Sequence, residues 1–434
     1  RALEKHRLRA GFLKPVADNY PGEEGERSAH FAKCLFNMKV PRPISIDRVE
    51  YLLSLGQKDQ LMEEIVALKG QSETDTDLLV VEGLAYDPQR PLMAALNGEI
   101  ARNLQADVIL VVAAESVDAV NIAEQIEMTV QEFGGADKVS FVGYVLTKVP
   151  ADTDTQALHR LIGQNSKTVH QGKLPLIGVT PYEPSLSAPR MLDVANHLNA
   201  RILFHGNLEQ ARVNEIMVAT RSIEYVIERL QPGALIITAG DRDDVIIATS
   251  MAVLRGTPIA GLLLTSGFEP KHVIKKLCAP ALMKKIPVLL TETNTYQTVN
   301  SLGKMDIHIP ADDTERATRL VDFVAEHLDG EILKAKLGEP SERRLPPAAF
   351  RFQLIQAARA ARKRIVLPEG DEPRTIQAAA ICHQKGIARC VLLGNRSVIE
   401  EVAEAQGVEL PADLEILNPD EIRHRYIMPL VDIR

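Results

Sequence analysis

The chain of 434 residues has no tryptophan, and aromatic residues make up only 4% of it. That leaves few flat side chains for the stacking platforms that bind single-stranded nucleic acid. Positive charge is also in short supply: 50 Lys and Arg stand against 58 Asp and Glu, for a net charge of −8. A broad basic surface for nucleic acid or an anionic membrane is therefore not expected. There are four cysteines, Cys34, Cys278, Cys382 and Cys390, and no two form a Cys-x-x-Cys pair. This usage fits a reducing cytoplasm better than a disulfide framework. The 11 histidines form neither His-x-x-x-His nor His-Glu-x-x-His, so no metal site is expected. No apolar run approaches the roughly 20 residues of a membrane span, and no secretory signal opens the chain. Gly-x-x-x-x-Gly-Lys-Ser/Thr is missing, and with it the usual cradle for nucleotide phosphates. Gly-x-Ser-x-Gly is missing too, so no serine nucleophile is assigned.

The remaining composition is ordinary, 45% hydrophobic and 25% charged, and the length suits two to four domains. The sequence opens at Arg1 within a stretch that reads as a helix, Arg1 to Arg9, and is expected to be a piece of a longer protein. Residues 1–200 alternate strand and helix signals. Strands are expected at Ala10–Val16, Asp77–Val81, Asp107–Ala113, Val139–Leu146 and Leu174–Val179. Helices are expected at Ala29–Met38, Asp59–Leu68, Leu92–Leu104 and Asp118–Phe133. Continuous apolar strands between helices predict a parallel sheet covered on both faces. Ala151 to Lys173 is polar and poorly periodic and reads as a surface insertion.

A second α/β unit is expected over 201–329. Its signals are an amphipathic helix at Asn214–Leu230, with Ile216, Ile223, Val226, Ile227 and Leu230 on one side, then strands at Ala234–Thr238, Ile259–Thr265, Val288–Leu290 and Ile307–Ile309, and a closing helix at Asp312–Leu328. Residues 330–347 are charged and hold Pro340, Pro346 and Pro347, the signature of a linker. From 348 to 434 the order helix, then β-α-β-α-β, opens a third domain.

Three places draw chemical interest, because α/β folds put ligands at the carboxyl ends of strands. Lys14, Glu82 and Lys148 each follow a strand, where a nucleotide-like or regulatory site would assemble. Asp241 and Arg242 sit in a charged turn between strand and helix, suited to an effector or an interface, or simply to starting a helix. Leu367-Pro368-Glu369-Gly370-Asp371-Glu372-Pro373-Arg374 joins an apolar strand to a helix that Pro373 is suited to begin. Glu369, Asp371 and Arg374 are candidates for lining an active site. Three carboxylates against one Arg make this loop a poor phosphate cradle. The plain alternative is that Asp371 or Glu372 caps the helix and Arg374 pairs with a carboxylate.

The segment Arg364 to Arg374, with Ala378-Ala379-Ala380-Ile381-Cys382 and Leu392-Leu393-Gly394-Asn395, resembles the start of the catalytic domain of the bacterial phosphate acetyltransferase family. Ser341 to Arg351 resembles the junction leading into it. Ala239-Gly240-Asp241-Arg242-Asp243-Asp244-Val245 stands where long-form members carry a DRTGG-type domain, without the Thr-Gly-Gly. Phe12-Leu13-Lys14-Pro15, Met62-Glu63-Glu64-Ile65 and Val81-Glu82-Gly83-Leu84 are similar to the family's N-terminal domain, which has a dethiobiotin synthetase-like P-loop fold. The resemblance implies three consecutive α/β domains: P-loop-like (1–200), DRTGG-type (201–329) and the first part of a phosphate acetyl/butyryl transferase domain (348–434).

It also implies an acyltransferase that interconverts acetyl-CoA and phosphate with acetyl phosphate and CoA. CoA and acetyl-CoA would be substrates, with no covalently bound cofactor. The catalytic Ser, Arg and Asp are expected beyond Arg434, so residues 1–434 alone are expected to be inactive. The first domains are expected to serve assembly into a homo-oligomer and control by metabolites such as NADH and pyruvate. Two rival readings remain: a P-loop ATP-dependent ligase of the dethiobiotin synthetase type, and a non-enzymatic metabolite sensor.

Overall fold

The computed structural model describes residues 1–2, 8–18, 26–72, 76–85, 91–306, 308–337 and 345–433. The helix expected over Arg1–Arg9 falls largely outside them, as does Ile307 of the strand expected at 307–309. Three α/β modules follow one another along the chain.

The first holds β1 (Ala10–Leu13), α1 (Arg27–Phe36), α2 (Ile46–Ser54), α3 (Lys58–Ser72), β2 (Leu78–Val81), α4 (Pro91–Leu104), β3 (Val108–Ala113), α5 (Ala119–Glu132), β4 (Phe141–Val149), α6 (Thr155–Asn165), α7 (Lys167–His170), β5 (Leu176–Pro181) and α8 (Pro184–Ser187). β1 and β2 pair in parallel, and β3, β4 and β5 form a separate parallel sheet. The expectation of a sheet covered on both faces fails at β3. Leu110 and Val112 are buried, but Ile109 is 42% and Val111 69% exposed. An apolar run shows that a strand can be buried on both sides; it does not supply the neighbour that buries it.

The supposed insertion at 151–173 is likewise corrected. Asp154 caps α6 by accepting from the N–H groups of Gln156 and Ala157, and Leu158 and Ile162, one turn apart, are buried in the core with Ile126 and Tyr144. Two apolar residues are enough to seat a short helix, but too few to show as a period.

The middle module runs through α9 (Met191–Leu198), β6 (Arg201–Phe204), β7 (Glu215–Val218), α10 (Ile223–Glu228), β8 (Ala234–Ala239), α11 (Asp243–Leu254), β9 (Gly261–Thr265), α12 (His272–Leu282), β10 (Val288–Leu290), α13 (Thr295–Leu302) and α14 (Thr314–Glu326). Its sheet has the order β6-β10-β9-β8-β7, parallel except where β6 meets β10. The long helix expected at 214–230 is in fact β7 followed by the short α10. Backbone pairing of Glu215–Val218 with Ala234–Ile237 decides the first half, and Ser222 starts the helix. Ile216 and Ile227 are exposed, whereas Met217 and Val226 are buried, so the helical stripe was a coincidence of spacing.

The third module comprises α15 (Gly330–Leu337), α16 (Pro347–Ala361), β11 (Arg364–Leu367), α17 (Pro373–Gln384), β12 (Arg389–Leu393), α18 (Arg396–Ala405), β13 (Glu415–Leu417), α19 (Pro419–Ile422) and α20 (His424–Ile433). β11, β12 and β13 are parallel. α15 falls within the stretch expected to be linker. It seats Leu333 among Val142, Val145 and Ile177 of the first module. α16 also turns back: Ala348, Ala349 and Phe352 join the core built by α3 and α4. Two helices that follow the middle module thus cover the first.

A charged seam joins the first two modules. Arg190 donates to Asp193 at 2.8 Å and to Asp312 at 2.9 Å. Arg212 grips Asp313 with both Nη atoms. Arg316 donates from Nε to the Leu186 carbonyl at 2.8 Å. Glu315 stands 3.8 Å from Arg212, so three cations face four carboxylates, and Arg190, Asp313 and Arg316 are buried.

Candidate functional site

Parallel register places Leu13 beside Val81, so the residues that follow, Lys14 and Glu82, leave the two strands side by side. The Lys14 ammonium is fully buried. It donates to Asp18 at 2.7 Å, to Glu82 at 2.9 Å and to the Gly83 carbonyl at 3.0 Å, which uses its three N–H donors. Burial alone would lower the Lys14 pKa, but Glu82 and Asp18 outweigh it and the net direction is up. Ser28 donates to Glu82 at 2.9 Å. Asn97 on α4 fixes the loop by bonding both the N–H and the carbonyl of Leu84.

Glu26 caps α1 by accepting from the N–H groups of Ser28 and Ala29. The carboxylates of Asp18, Glu26 and Glu82 offer oxygens within 4.8 Å of one another. These oxygens already serve the ammonium, a hydroxyl and a helix start, so no cation is needed to account for the cluster. As it stands, this corner is acidic and its lysine is saturated, so an anion gains no free donor from Lys14.

Lys14 and Glu82, singled out from sequence, are brought together. Lys148 takes a different partner, Glu115, at 2.6 Å. The sequence reasoning missed Asp18, Ser28 and Asn97. The only signal for Asp18 was its i+4 distance from Lys14. A cleft of about 860 Å³ opens beside this corner and runs along β3, lined by Asp18, Glu82, Asn97, Ile109, Val111 and Met128 among others.

In the middle module, Arg242 folds onto Asp244 at 2.8 and 2.9 Å and also reaches the carbonyls of Ala219 and Arg221. The hydrogen bond from Arg242 holds the Asp244 carboxyl below its ordinary range. A Cβ on Gly240 would meet the Phe268 carbonyl oxygen at 1.6 Å, so the turn at Asp241 and Arg242 needs glycine before it. These bonds lock the turn locally.

In the third module, Glu372 caps α17, accepting from Thr375 N–H at 2.9 Å. Arg374 is 93% exposed and lies 3.4 Å from Glu372. The Gly370 N–H donates to the Leu393 carbonyl at 3.0 Å, which holds the Glu369–Asp371 loop against the end of β12. Glu369 and Asp371 therefore sit in one strand-end loop, and Arg374 lies in the first turn of the helix that follows it.

The site and fold define a protein of three successive α/β units. The family models follow the same order: "AAA domain" matches residues 1–190, "DRTGG domain" residues 193–305, and "Phosphate acetyl/butaryl transferase" residues 349–433. Over its whole length the chain is similar to the phosphate acetyltransferase of Deinococcus radiodurans, with 42% identity covering 62% of that protein. It is similar to that of Pseudomonas aeruginosa at 43% identity, covering 63%, and to that of Escherichia coli at 38%, covering 63%. The chain thus spans about three fifths of the length of the curated relatives it matches. A solved structure of the CBS and DRTGG domains of a Clostridium perfringens pyrophosphatase regulatory region is 19% identical, covering 32% of this chain and 60% of that one. Its TM-score of 0.24 is too low to carry any argument.

Proposed function

We propose that the polypeptide carrying this chain is a phosphate acetyltransferase, interconverting acetyl-CoA and phosphate with acetyl phosphate and CoA. The observation that carries this reading is the match of residues 349–433 to the transferase family, within an alignment to phosphate acetyltransferases that takes in every residue. The chemistry asks for phosphate to be held against a thioester carbonyl while charge builds on its oxygen, a task of positioning and electrostatic stabilisation. In this reading Glu369, Asp371 and Arg374 line the mouth of the acyl-transfer site. The direct roles of base and oxyanion donor are assigned to none of the 434 residues.

Residues 1–329 serve assembly and control in the same reading. The saturated Lys14 corner supports structural regulation over nucleotide turnover. NADH and pyruvate are the effectors to try, and a homo-oligomer is the assembly to look for.

The test follows thioester formation from acetyl phosphate and CoA, with residues 1–434 and with the product of the full reading frame. Turnover by the full product and none by residues 1–434 is the expected result. A full product without acetyl phosphate-dependent thioester synthesis would overturn the proposal.

A further inference from the structure

The middle module carries a cavity of about 390 Å³ at the amino ends of β9 and β10. That is the opposite end of the sheet from the Asp241–Arg242 turn, which follows β8. Residues leading into β9 form one wall, Thr257 among them, and residues leading into β10 form another, with Lys284 and Lys285. Asn207, Gln210 and Arg212, on the stretch between β6 and β7, complete it. The whole chain has a net charge of −8, yet three cations line this cavity and no Asp or Glu is among its described lining residues.

Backbone contacts tie the walls together. The Asn207 N–H donates to the Lys285 carbonyl at 2.7 Å, and a Cβ on Gly206 would meet that same oxygen at 2.4 Å, so the close approach needs glycine at 206. Lys285 itself holds a φ of +64°, in the left-handed region that glycine adopts with least strain. A lysine at a helix C-terminus ordinarily answers the last carbonyls. Here backbone groups already do so. At the end of α12 the Lys284 N–H donates to the Ala281 carbonyl at 3.0 Å and the Lys285 N–H to that of Leu282 at 2.8 Å. At the end of α11 the Gly256 and Thr257 N–H groups serve Val253 and Ala252. Among the described residues, nothing bonds to either lysine ammonium, to the side-chain amides of Asn207 and Gln210, or to the Thr257 hydroxyl. Arg212 differs, because Asp313 engages both of its Nη atoms. The cavity thus presents two uncompensated positive charges and three neutral donors.

We propose that this cavity binds a small phosphorylated anion. Lysine serves phosphate as a mobile point charge, whereas planar two-pronged capture of a carboxylate is the habit of arginine. Arg212 is already taken by Asp313 in that way. The ammonium, amide and hydroxyl donors can close on the several oxygens of a phosphoryl group from different sides. The volume falls in the range of small-molecule sites, so an organic body fits beyond the phosphoryl group. Arg212 belongs both to this wall and to the charged seam, which puts the ligand's charge at one end of the contact between the first two modules. The inference names a ligand class for the middle module and does not depend on the acyl transfer proposed above.

Amide NMR of residues 1–434 during titration with inorganic pyrophosphate tests it. Saturable shifts are expected at Asn207, Gln210, Thr257, Lys284 and Lys285, with the Asp241–Arg242 turn unmoved. Each lysine supplies a charged hydrogen bond, so Lys284→Gln should raise the dissociation constant about tenfold. Lys285→Asn, which suits the left-handed backbone, should do the same. Both lysines are exposed, and each variant should keep the parent's melting temperature. Citrate, an anion of carboxylates, should bind at least about tenfold more weakly than pyrophosphate. The parent alone decides whether the site exists: no saturable shift at these amides by about 10 mM pyrophosphate would overturn the proposal. So would unchanged binding in both folded variants, or citrate bound as tightly as pyrophosphate.

Discussion

Replacing Asp313 by asparagine keeps the shape of the seam and removes one charge. In the native seam, Arg190, Arg212 and Arg316 face Asp193, Asp312, Asp313 and the more exposed Glu315. Asp313→Asn leaves Asp193, Asp312 and Glu315 as the carboxylates of the seam, and of these Asp312 and Glu315 are exposed. Arg212 loses a two-pronged partner whose side chain is only 2% exposed. Breaking a buried pair on one side costs about 3–5 kcal/mol, because the remaining charge stays desolvated. The same site gives a pH signature. Burial raises the Asp313 pKa, but hydrogen bonds from Arg212 and from the Arg316 N–H outweigh it, so the net shift is downward. A carboxyl depressed on folding contributes stability above its unfolded pKa of about 3.9, and that stability is lost as pH falls through the folded value. Urea unfolding at pH 7 should show the seam's transition weakened by about 3–5 kcal/mol in Asp313→Asn. Titration from pH 6 to pH 3 should show a smaller further loss in the variant than in the parent. A variant within about 1 kcal/mol of the parent at pH 7, or one with an unchanged acid slope, would refute the account of the seam.

Three further predictions concern how the modules hold together. Leu333→Ala should cost roughly 3 kcal/mol, because it empties a buried site between α15 and the β4–β5 face; the check is a lower denaturant midpoint with faster amide exchange in α15. Glu63 receives Arg351 at 2.6 Å and Lys385 at 3.4 Å, tying α3 to α16 and to the end of α17. Glu63→Gln should weaken that contact by about 1 kcal/mol or less; exchange in α16 should rise at low salt, and the effect should shrink as salt is added. Gly370→Ala brings a Cβ within 2.3 Å of the Leu393 carbonyl oxygen, an overpacking that typically costs about 1–3 kcal/mol; calorimetry should show the third module melting earlier while the middle module is unmoved.

Much of the strand and helix alternation was legible because buried parallel strands are written as unbroken apolar runs, as at Leu235–Ile237 and Leu262–Leu264. Pro373 at the first turn of α17, with Glu372 capping it, follows from local chemistry that needs no partner. The misreadings lie where distant pairing decides. β7 exists because β8 offers it an edge, and no window of sequence around Ile216 contains that fact. The Lys14 corner was half legible. The strand ends placed Lys14 and Glu82, but Ser28 and Asn97 arrive from helices whose approach angle is set by the core. The returns of α15 and α16 were hidden by composition, since a charged, proline-bearing stretch reads as linker even where one leucine in it is buried.

Those two returning helices have a bearing on how the molecule can be taken apart. Cutting ahead of the middle module strips Leu333 and Phe352 of the surfaces they rest on, while cutting behind it uncovers Val142, Val145 and Ile177. Either piece would carry a greasy scar, with clumping the natural result. A clean excision of the middle module would have to spare residues 330–361 and splice them onto the first. The units are therefore consecutive in the chain but not detachable in its order, and any deletion series on this protein should be designed from its contacts.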